Sequence, residues 1–577
     1  MVRETGLEPV RCNHTPLKRA RLPVPPLSHT LLLVPKDATV ILYTNIYTCQ
    51  GFFCFFSKDF KKKLIFLLQY GILIRSVLYM TEGNMRVGFD NEKYLQMQSD
   101  CIRKRIGQFG GKLYLELGGK LFDDYHASRV LPGFEPDSKI RMFSQLKDEI
   151  EIIIAINAGD IEKSKKRGDL GITYDDDVLR LTDAFTALGF LVGSVCITQY
   201  THQPGADAFI KRLNSLGIRS YLHYPIEGYP YDVKKIVSDE GYGQNQYIET
   251  SKPLILVTAP GPGSGKMATC LSQLYHENKR GISAGYAKFE TFPIWNLPLK
   301  HPVNIAYEAA TADLDDLNMI DPFHLEAHGT LAVNYNRDVE IFPVLKAMME
   351  KISGTSPYLS PTDMGVNMAG FCIFDDDAVS EASKREVLRR YYQTQVAIRQ
   401  GEIAESQKNK LELLLQQLKI DDSICPAIEA SRKKAAETNA PAGAMVLPTG
   451  KVVTGKNSVL LGPSAALLLN AVKRLAGIDE DTDLISPQAL EPICALKVQH
   501  LKNHNPRLHS DEVLIALSIS SVTNPEAAKA LAQLDKLRGC DAHFSTILSS
   551  VDEKTYRKLG IHQTSDPKYQ IKKLYHG

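Results

Sequence analysis

The chain has 577 residues, 44% of them hydrophobic and 23% charged, with a formal net charge of +2. That length suits about three or four domains with sizeable cores, and the composition is ordinary for a globular protein. The small net charge argues against a dedicated nucleic-acid surface, and the ten cysteines form no C-x-x-C pair. They suggest neither a zinc ribbon nor a disulfide framework and fit a reducing cytoplasm.

Residues 1–84 stand apart, with no usable helix or strand period. Gly6-Leu-Glu-Pro9 back-translates into the complement of a transfer-RNA gene, and Phe52-Phe-Cys-Phe-Phe56 resembles translated AT-rich DNA. The expectation is a spurious, disordered extension, with the natural start at Met85 or Met80. The best apolar run, 64–80, contains Gln69 and Arg75 and falls short of the roughly 20 residues a spanning helix needs, so no membrane segment is expected.

From Met85 onward, the pattern predicts a helix over 91–106 and a strand over 112–117. That strand runs into Gly118-Gly119-Lys120, and Asp123, Asp124, His126 and Arg129 follow. Ligands sit just beyond the carboxyl ends of strands in open α/β sheets; a capped loop with a surface salt bridge explains the same residues equally well. Residues 151–156 read as a buried strand and 190–197 and 219–223 continue the pattern, with the acids at 175–177 as a helix start favoured by the dipole. Such alternation implies a mainly parallel, three-layer α/β/α body.

The chain is organised around Leu254-Ile-Leu-Val-Thr-Ala-Pro-Gly-Pro-Gly-Ser-Gly-Lys266 and the helical stripe after it. A buried strand, a glycine loop, a lysine and a helix place backbone N–H groups and a positive dipole end around an anion. Gly261, Gly263 and Gly265 would admit the ligand, and Lys266 would supply a charge. The standard phosphate loop needs Gly at 260 and Ser or Thr at 267; here those positions hold Pro260 and Met267. The hydroxyl that normally holds magnesium is missing unless Ser264 or Thr269 replaces it. A tight strand-to-helix turn with a solvated lysine is the plain alternative.

His324, Glu326 and His328 stand at i, i+2 and i+4. In an extended chain they project to one side, as a nitrogen/oxygen metal site or as polar residues of a half-exposed edge. Helical patterns follow at 344–352, 378–400 and 402–419, with a Gly-punctuated loop at 360–370 and an acidic cap at 375–377. Near 440 the α/β character returns, with a hairpin over 444–457 and a helix over 462–474. Lys451, Lys456 and Ser464 there could hold an anion, or are simply hairpin lysines and a helix-terminal serine. The expected division is an extension over 1–84, an α/β domain over 85–340, a helical domain over 341–438 and a C-terminal α/β domain over 439–577.

Gly110-Gly-Lys-Leu-Tyr-Leu-Glu-Leu-Gly-Gly-Lys-Leu-Phe-Asp-Asp-Tyr-His126, Thr258-Ala-Pro-Gly-Pro-Gly-Ser-Gly-Lys-Met-Ala-Thr269 and Asn304-Ile-Ala-Tyr-Glu-Ala-Ala-Thr-Ala-Asp313 resemble the bacterial uncharacterised protein family 0371, also described as domain-of-unknown-function family 1846. The resemblance runs from about Met85 to the C-terminus. It implies an α/β body, a helical domain and a C-terminal three-layer domain similar in topology to cytidine deaminases, and no activity. Deaminase chemistry needs H-x-E and P-C-x-x-C, whereas residues 440–577 hold only Cys494 and Cys540, far apart.

These readings point to a cytoplasmic protein that binds a phosphate-bearing small molecule or nucleotide and transfers or hydrolyses a phosphoryl group. Lys266, Asp123 and Asp124 are its candidate catalytic residues, and Gly261, Gly263, Ser264, Gly265, Lys266 and Thr269 form the binding loop, with Mg²⁺ entering beside the ligand. No nucleic acid or membrane is expected as a partner, and a homo-oligomer is left open. The alternatives are a non-catalytic metabolite-binding or regulatory protein using the same loop, and a metal-dependent hydrolase using His324, Glu326 and His328.

Overall fold

The computed structural model describes residues 86–119, 121–122, 124–167 and 171–570. The expected extension over 1–84, both candidate starts and Asp123 lie outside them. The described residues belong to one compact unit.

A seven-stranded sheet organises the first two thirds. Its strands are β1 (Leu113–Leu117), β2 (Ile150–Asn157), β3 (Leu191–Thr198), β4 (Ser220–Leu222), β5 (Leu254–Thr258), β6 (Gly285–Phe289) and, after the antiparallel pair β7 (Asn318–Ile320) and β8 (Val333–Tyr335), β9 (Gly365–Val366). The order is β4-β3-β2-β5-β1-β6-β9, and every pair is parallel. All seven carboxyl ends therefore lie along one edge. Chain order runs outward from β2 through β3 to β4, then reverses to β5 on the other side of β2, so the strand order switches between β2 and β5.

Period-two alternation sends neighbouring side chains to opposite faces. Leu113, Leu115, Ile152, Ile154, Leu254 and Leu256 enter one core with the helices Asn91–Gln108, Tyr174–Ala187 and Pro204–Ser215. Tyr114, Ile153, Ala155, Ile255 and Val257 enter another with Lys266–Lys279 and Asn336–Ser353. Both faces are covered, which is why these strands read as unbroken apolar runs. The result is the three-layer α/β/α body. β9 lies beyond residue 340, so the parallel sheet draws on residues that the sequence assigns to the helical part.

The C-terminal part holds a mixed sheet, ordered β11-β10-β12-β13, of β10 (Ala442–Val446), β11 (Val452–Lys456), β12 (Asp541–Phe544) and β13 (His562–Ser565). β10 and β11 form the expected hairpin, and β12 pairs with β13 in parallel. The helix Pro463–Ala476 starts with proline at its first turn, where the missing N–H costs nothing. Ser464 holds no anion: it is buried, and its hydroxyl donates to Asp552 Oδ1 at 2.8 Å. Among the described residues no helix is long and apolar enough to cross a membrane.

The sequence misplaces one local element. Residues 322–328 form a helix, Pro322–His328, rather than an extended edge. Asp321 caps it by accepting from His324 N–H at 3.0 Å, Pro322 opens it, and Gly329 ends it in the left-handed region at φ 66°.

Candidate functional site

The glycine loop follows β5 at the switch point, where open α/β sheets place their ligands. Two glycines there are geometrically required. Gly265 has φ 84°, and a Cβ on it would stand 3.0 Å from Thr198 at the end of β3; a Cβ on Gly261 would stand 2.2 Å from the Tyr174 hydroxyl. Gly263, by contrast, faces open space. Thr198 donates its hydroxyl to Ser264 O at 2.8 Å, and Asn157, ending β2, donates Nδ2–H to Gly263 O at 3.3 Å. Two neighbouring strands thus hold the loop.

The helix Lys266–Lys279 begins directly after it. Its far end is anchored by Glu277, which is fully buried, accepts from the Tyr114 hydroxyl at 2.7 Å and pairs with Lys112. Lys266 is the first helical residue, half-buried, and has no hydrogen-bond or ion-pair partner among the described residues. The hydroxyls expected to replace the missing magnesium ligand do not face outward. Ser264 is 1% exposed and donates to Gly261 O at 2.8 Å; Thr269 is fully buried and donates to Gly265 O at 3.0 Å. Their oxygens close the loop and the helix's first turn, out of a ligand's reach.

Positive charge missed in the sequence reading lies beside the loop. Tyr174, against Gly261, donates its backbone N–H to Lys165 O and has the Lys165 ammonium 5.0 Å from its ring centre. Lys163, Lys165 and Lys166 are exposed on that segment, and Lys165 is paired with Asp160 at 3.3 Å. Asp124 sits at the carboxyl end of β1, but its carboxylate is committed: it caps the helix Tyr125–Val130 and lies 2.7 Å from the Lys139 ammonium. Burial would raise this acid, yet Lys139 and the Ala127 N–H hold it below its ordinary value. His126 and Arg129 are engaged by Glu386, which also receives Arg389 and Arg390.

A second group, on β6, is unannounced in the sequence. Lys288 is the register partner of Glu116 on β1, and its ammonium lies 2.7 Å from Asp338 Oδ1 and 3.0 Å from Glu290 Oε1. Tyr335 donates its hydroxyl to Glu290 at 2.7 Å. Burial disfavours the Lys288 ammonium, but Asp338, Glu290 and Glu116 outweigh it and hold its pKa well above the usual lysine value. One ammonium between two carboxylates leaves an acid in excess. Burial, with Asp338 adding to it against Lys288, pushes Glu290 up to about 7. Glu290 lines a small cleft with Lys288, Trp295, Asn334, Asp338 and Thr362. A larger depression of about 290 Å³ opens beyond β4, lined by Tyr224, Glu240 and Gln244, and lacks a comparable acid–base pair.

The glycine loop and this cleft share one edge. β5 and β6 flank β1, so their ends lie two strand spacings apart, about 10 Å. Between them Glu116 accepts from the Tyr286 hydroxyl at 2.8 Å. Burial is the main cause that raises the Cys270 thiol; Glu116 adds to it and Lys266 opposes it. Perturbed acids and bases cluster where chemistry is done.

The model of the N-terminal domain of unknown function DUF1846 matches residues 87–419, and that of its C-terminal counterpart matches 423–575. A UPF0371 protein of Streptococcus thermophilus is 59% identical over 487 residues, covering 84% of this chain and 99% of the relative. The chain belongs to uncharacterised protein family 0371. A second family 0371 member, from Streptococcus pneumoniae, is 58% identical with the same coverage. The long runs around Gly110–His126 and Thr258–Thr269 that carry the resemblance in sequence are, in this family 0371 chain, β1 and β5 with the loops at their carboxyl ends.

Proposed function

We propose that the protein binds a phosphate-bearing small molecule or nucleotide at the carboxyl edge of its parallel sheet, with the phosphate over Gly263 and beside Lys266. The observation that carries this reading is the half-buried Lys266, without a partner among the described residues, at the first turn of a 14-residue helix at the switch point. A lysine in a partly desolvated position with no acid beside it is poised for an anion from outside, and the helix dipole adds to its field. Lys163 and Lys166 are exposed on the segment that packs on the loop through Tyr174, and they favour the same sign of ligand.

In this reading the phosphate is a handle and the chemistry lies at Glu290. A carboxyl near neutrality accepts or donates a proton at physiological pH, and the Lys288 ammonium stabilises developing negative charge beside it. Proton transfer at the unphosphorylated end of the molecule fits better than phosphoryl transfer, because Ser264 and Thr269 offer no hydroxyl to a magnesium ion. The division at 340 and 438 and the cytidine-deaminase-like topology of 439–577 belong to the same proposal as matters of architecture only, since fold does not carry chemistry.

The test is a thermal-shift panel of phosphorylated metabolites, each paired with its dephosphorylated counterpart. Stabilisation confined to phosphorylated members supports the reading. Equal shifts within every pair, or none in any, would sink it.

A further inference from the structure

We propose that His324, His328 and Asp363 form a binding site for one divalent transition-metal ion of the zinc class, separate from the glycine loop. Among the described residues this is the only group of three or more His, Cys, Asp or Glu whose ligand atoms converge, all within 4.8 Å of one another. The helix Pro322–His328 puts His324 and His328 on one face at i and i+4 and turns Glu326 away, exposed. The third donor comes instead from Asp363, on the short helix Pro361–Met364.

The separations suit an ion. His328 Nε2 lies 3.0 Å from both Asp363 oxygens, and His324 Nδ1 lies 3.6 Å from Asp363 Oδ1 and 3.0 Å from the Ser360 hydroxyl, a hydrogen bond that a bound ion would replace. Metal–ligand bonds of about 2.0–2.2 Å at tetrahedral angles place neighbouring donors about 3.3–3.6 Å apart. The surroundings hold the donors in place, as ligand-orienting partners do. Asp363 Oδ2 accepts from Leu359 N–H at 3.2 Å and Ser360 N–H at 3.1 Å, which fixes the carboxylate with Oδ1 within reach of both histidines. Asp321, fully buried, accepts from His324 N–H on one helix and from the Thr362 hydroxyl at 2.6 Å on the other. One carboxylate thus pins both ligand-bearing helices together.

Two imidazoles and one carboxylate favour zinc, cobalt, nickel or iron over magnesium or calcium, which take oxygen donors. With three protein ligands, a fourth position stays free for water or substrate. The side chains of His328 and Asp363 are 36% and 23% exposed, so the site is open to solvent. It also borders the Glu290 cleft, which Thr362 and Trp295 line, with the Trp295 ring 6.0 Å from that of His324.

The experiment is titration of Co²⁺ into chelator-treated protein, read by visible absorption, followed by displacement with Zn²⁺. Saturation at one equivalent is expected, with Co²⁺ affinity falling at least tenfold in His328→Ala and in Asp363→Asn. Asp363→Asn keeps an oxygen for the cap, and His328 lies at the surface, so circular dichroism of both variants should match wild type. Glu326→Gln and Lys266→Ala should bind Co²⁺ as wild type does. Absence of saturable binding, retained binding in both ligand variants, or an equal loss in Glu326→Gln would overturn the site and leave His328–Asp363 as an ion pair.

Discussion

Thr198 donates its hydroxyl to the Ser264 carbonyl across 2.8 Å, tying the end of β3 to the glycine loop two strands away in the sheet. The same Thr198 side chain fills the space where a Cβ on Gly265 would stand. Gly265→Ala therefore meets both a left-handed backbone, unfavourable by about 1–2 kcal/mol for a residue with a side chain, and a contact that must yield. Denaturant unfolding should show a loss of about 1–3 kcal/mol, whereas Gly263→Ala, with no atoms to meet, should show only the backbone part.

Glu290 makes stability depend on pH in a defined direction. Its folded pKa, pushed up to about 7 by burial, exceeds its ordinary value of 4.5. The folded state then holds more protons than the unfolded state between those values, so this contribution falls as pH rises through that window. Thermal unfolding of wild type against Glu290→Gln from pH 4 to 8 should show the variant gaining relative stability with rising pH. A difference independent of pH would remove the basis for Glu290 as a proton carrier.

Glu386 is fully enclosed by Arg129, Arg389, Arg390 and His126. Burial would raise its carboxyl, but the arginines outweigh that and hold it well below the usual range. Glu386→Gln leaves three guanidiniums without their counter-charge, and breaking a buried pair from one side costs about 3–5 kcal/mol. Adding Arg390→Met should recover part of that loss. A double variant no better than the single one would show that charge is not the cause.

In the C-terminal part, His509 Nδ1 lies 2.9 Å from Asp552 Oδ2, and that hydrogen bond raises the imidazole above its ordinary value. A raised histidine stabilises fully below its unfolded pKa of about 6.5 and loses its contribution as pH rises through the folded value. Unfolding midpoints of wild type should thus decline relative to His509→Gln above neutrality, and parallel curves would contradict the pairing.

Much of the body is legible in the sequence because burial on both faces writes itself as uninterrupted apolar runs, as in 152–156 and 254–257. β6 escapes that rule. Lys288 breaks its apolar run, since a lysine reads as solvated until Asp338 and Glu290 are seen around it. The loop residues 261–266 are adjacent in sequence, so their grouping is visible there, but the inward turn of Ser264 and Thr269 is set by tertiary packing. Asp363 pairs with His328 across 35 positions, which no local spacing reveals. The helix that separates Glu326 from His324 and His328 was signalled, however, by Asp321-Pro322 before it and Gly329 after it.

The central claim is that Lys266 and the glycine loop receive a phosphate, and calorimetric titration tests it most directly. Inorganic phosphate, Mg·ATP and a set of phosphorylated metabolites would be titrated into the protein and into Lys266→Ala. Saturable binding of at least one compound is expected, weakened about tenfold or more in the variant, a loss of ~1.4 kcal/mol. No heat with any compound, or equal affinity in the two proteins, would contradict it and reduce the loop to a turn between β5 and its helix.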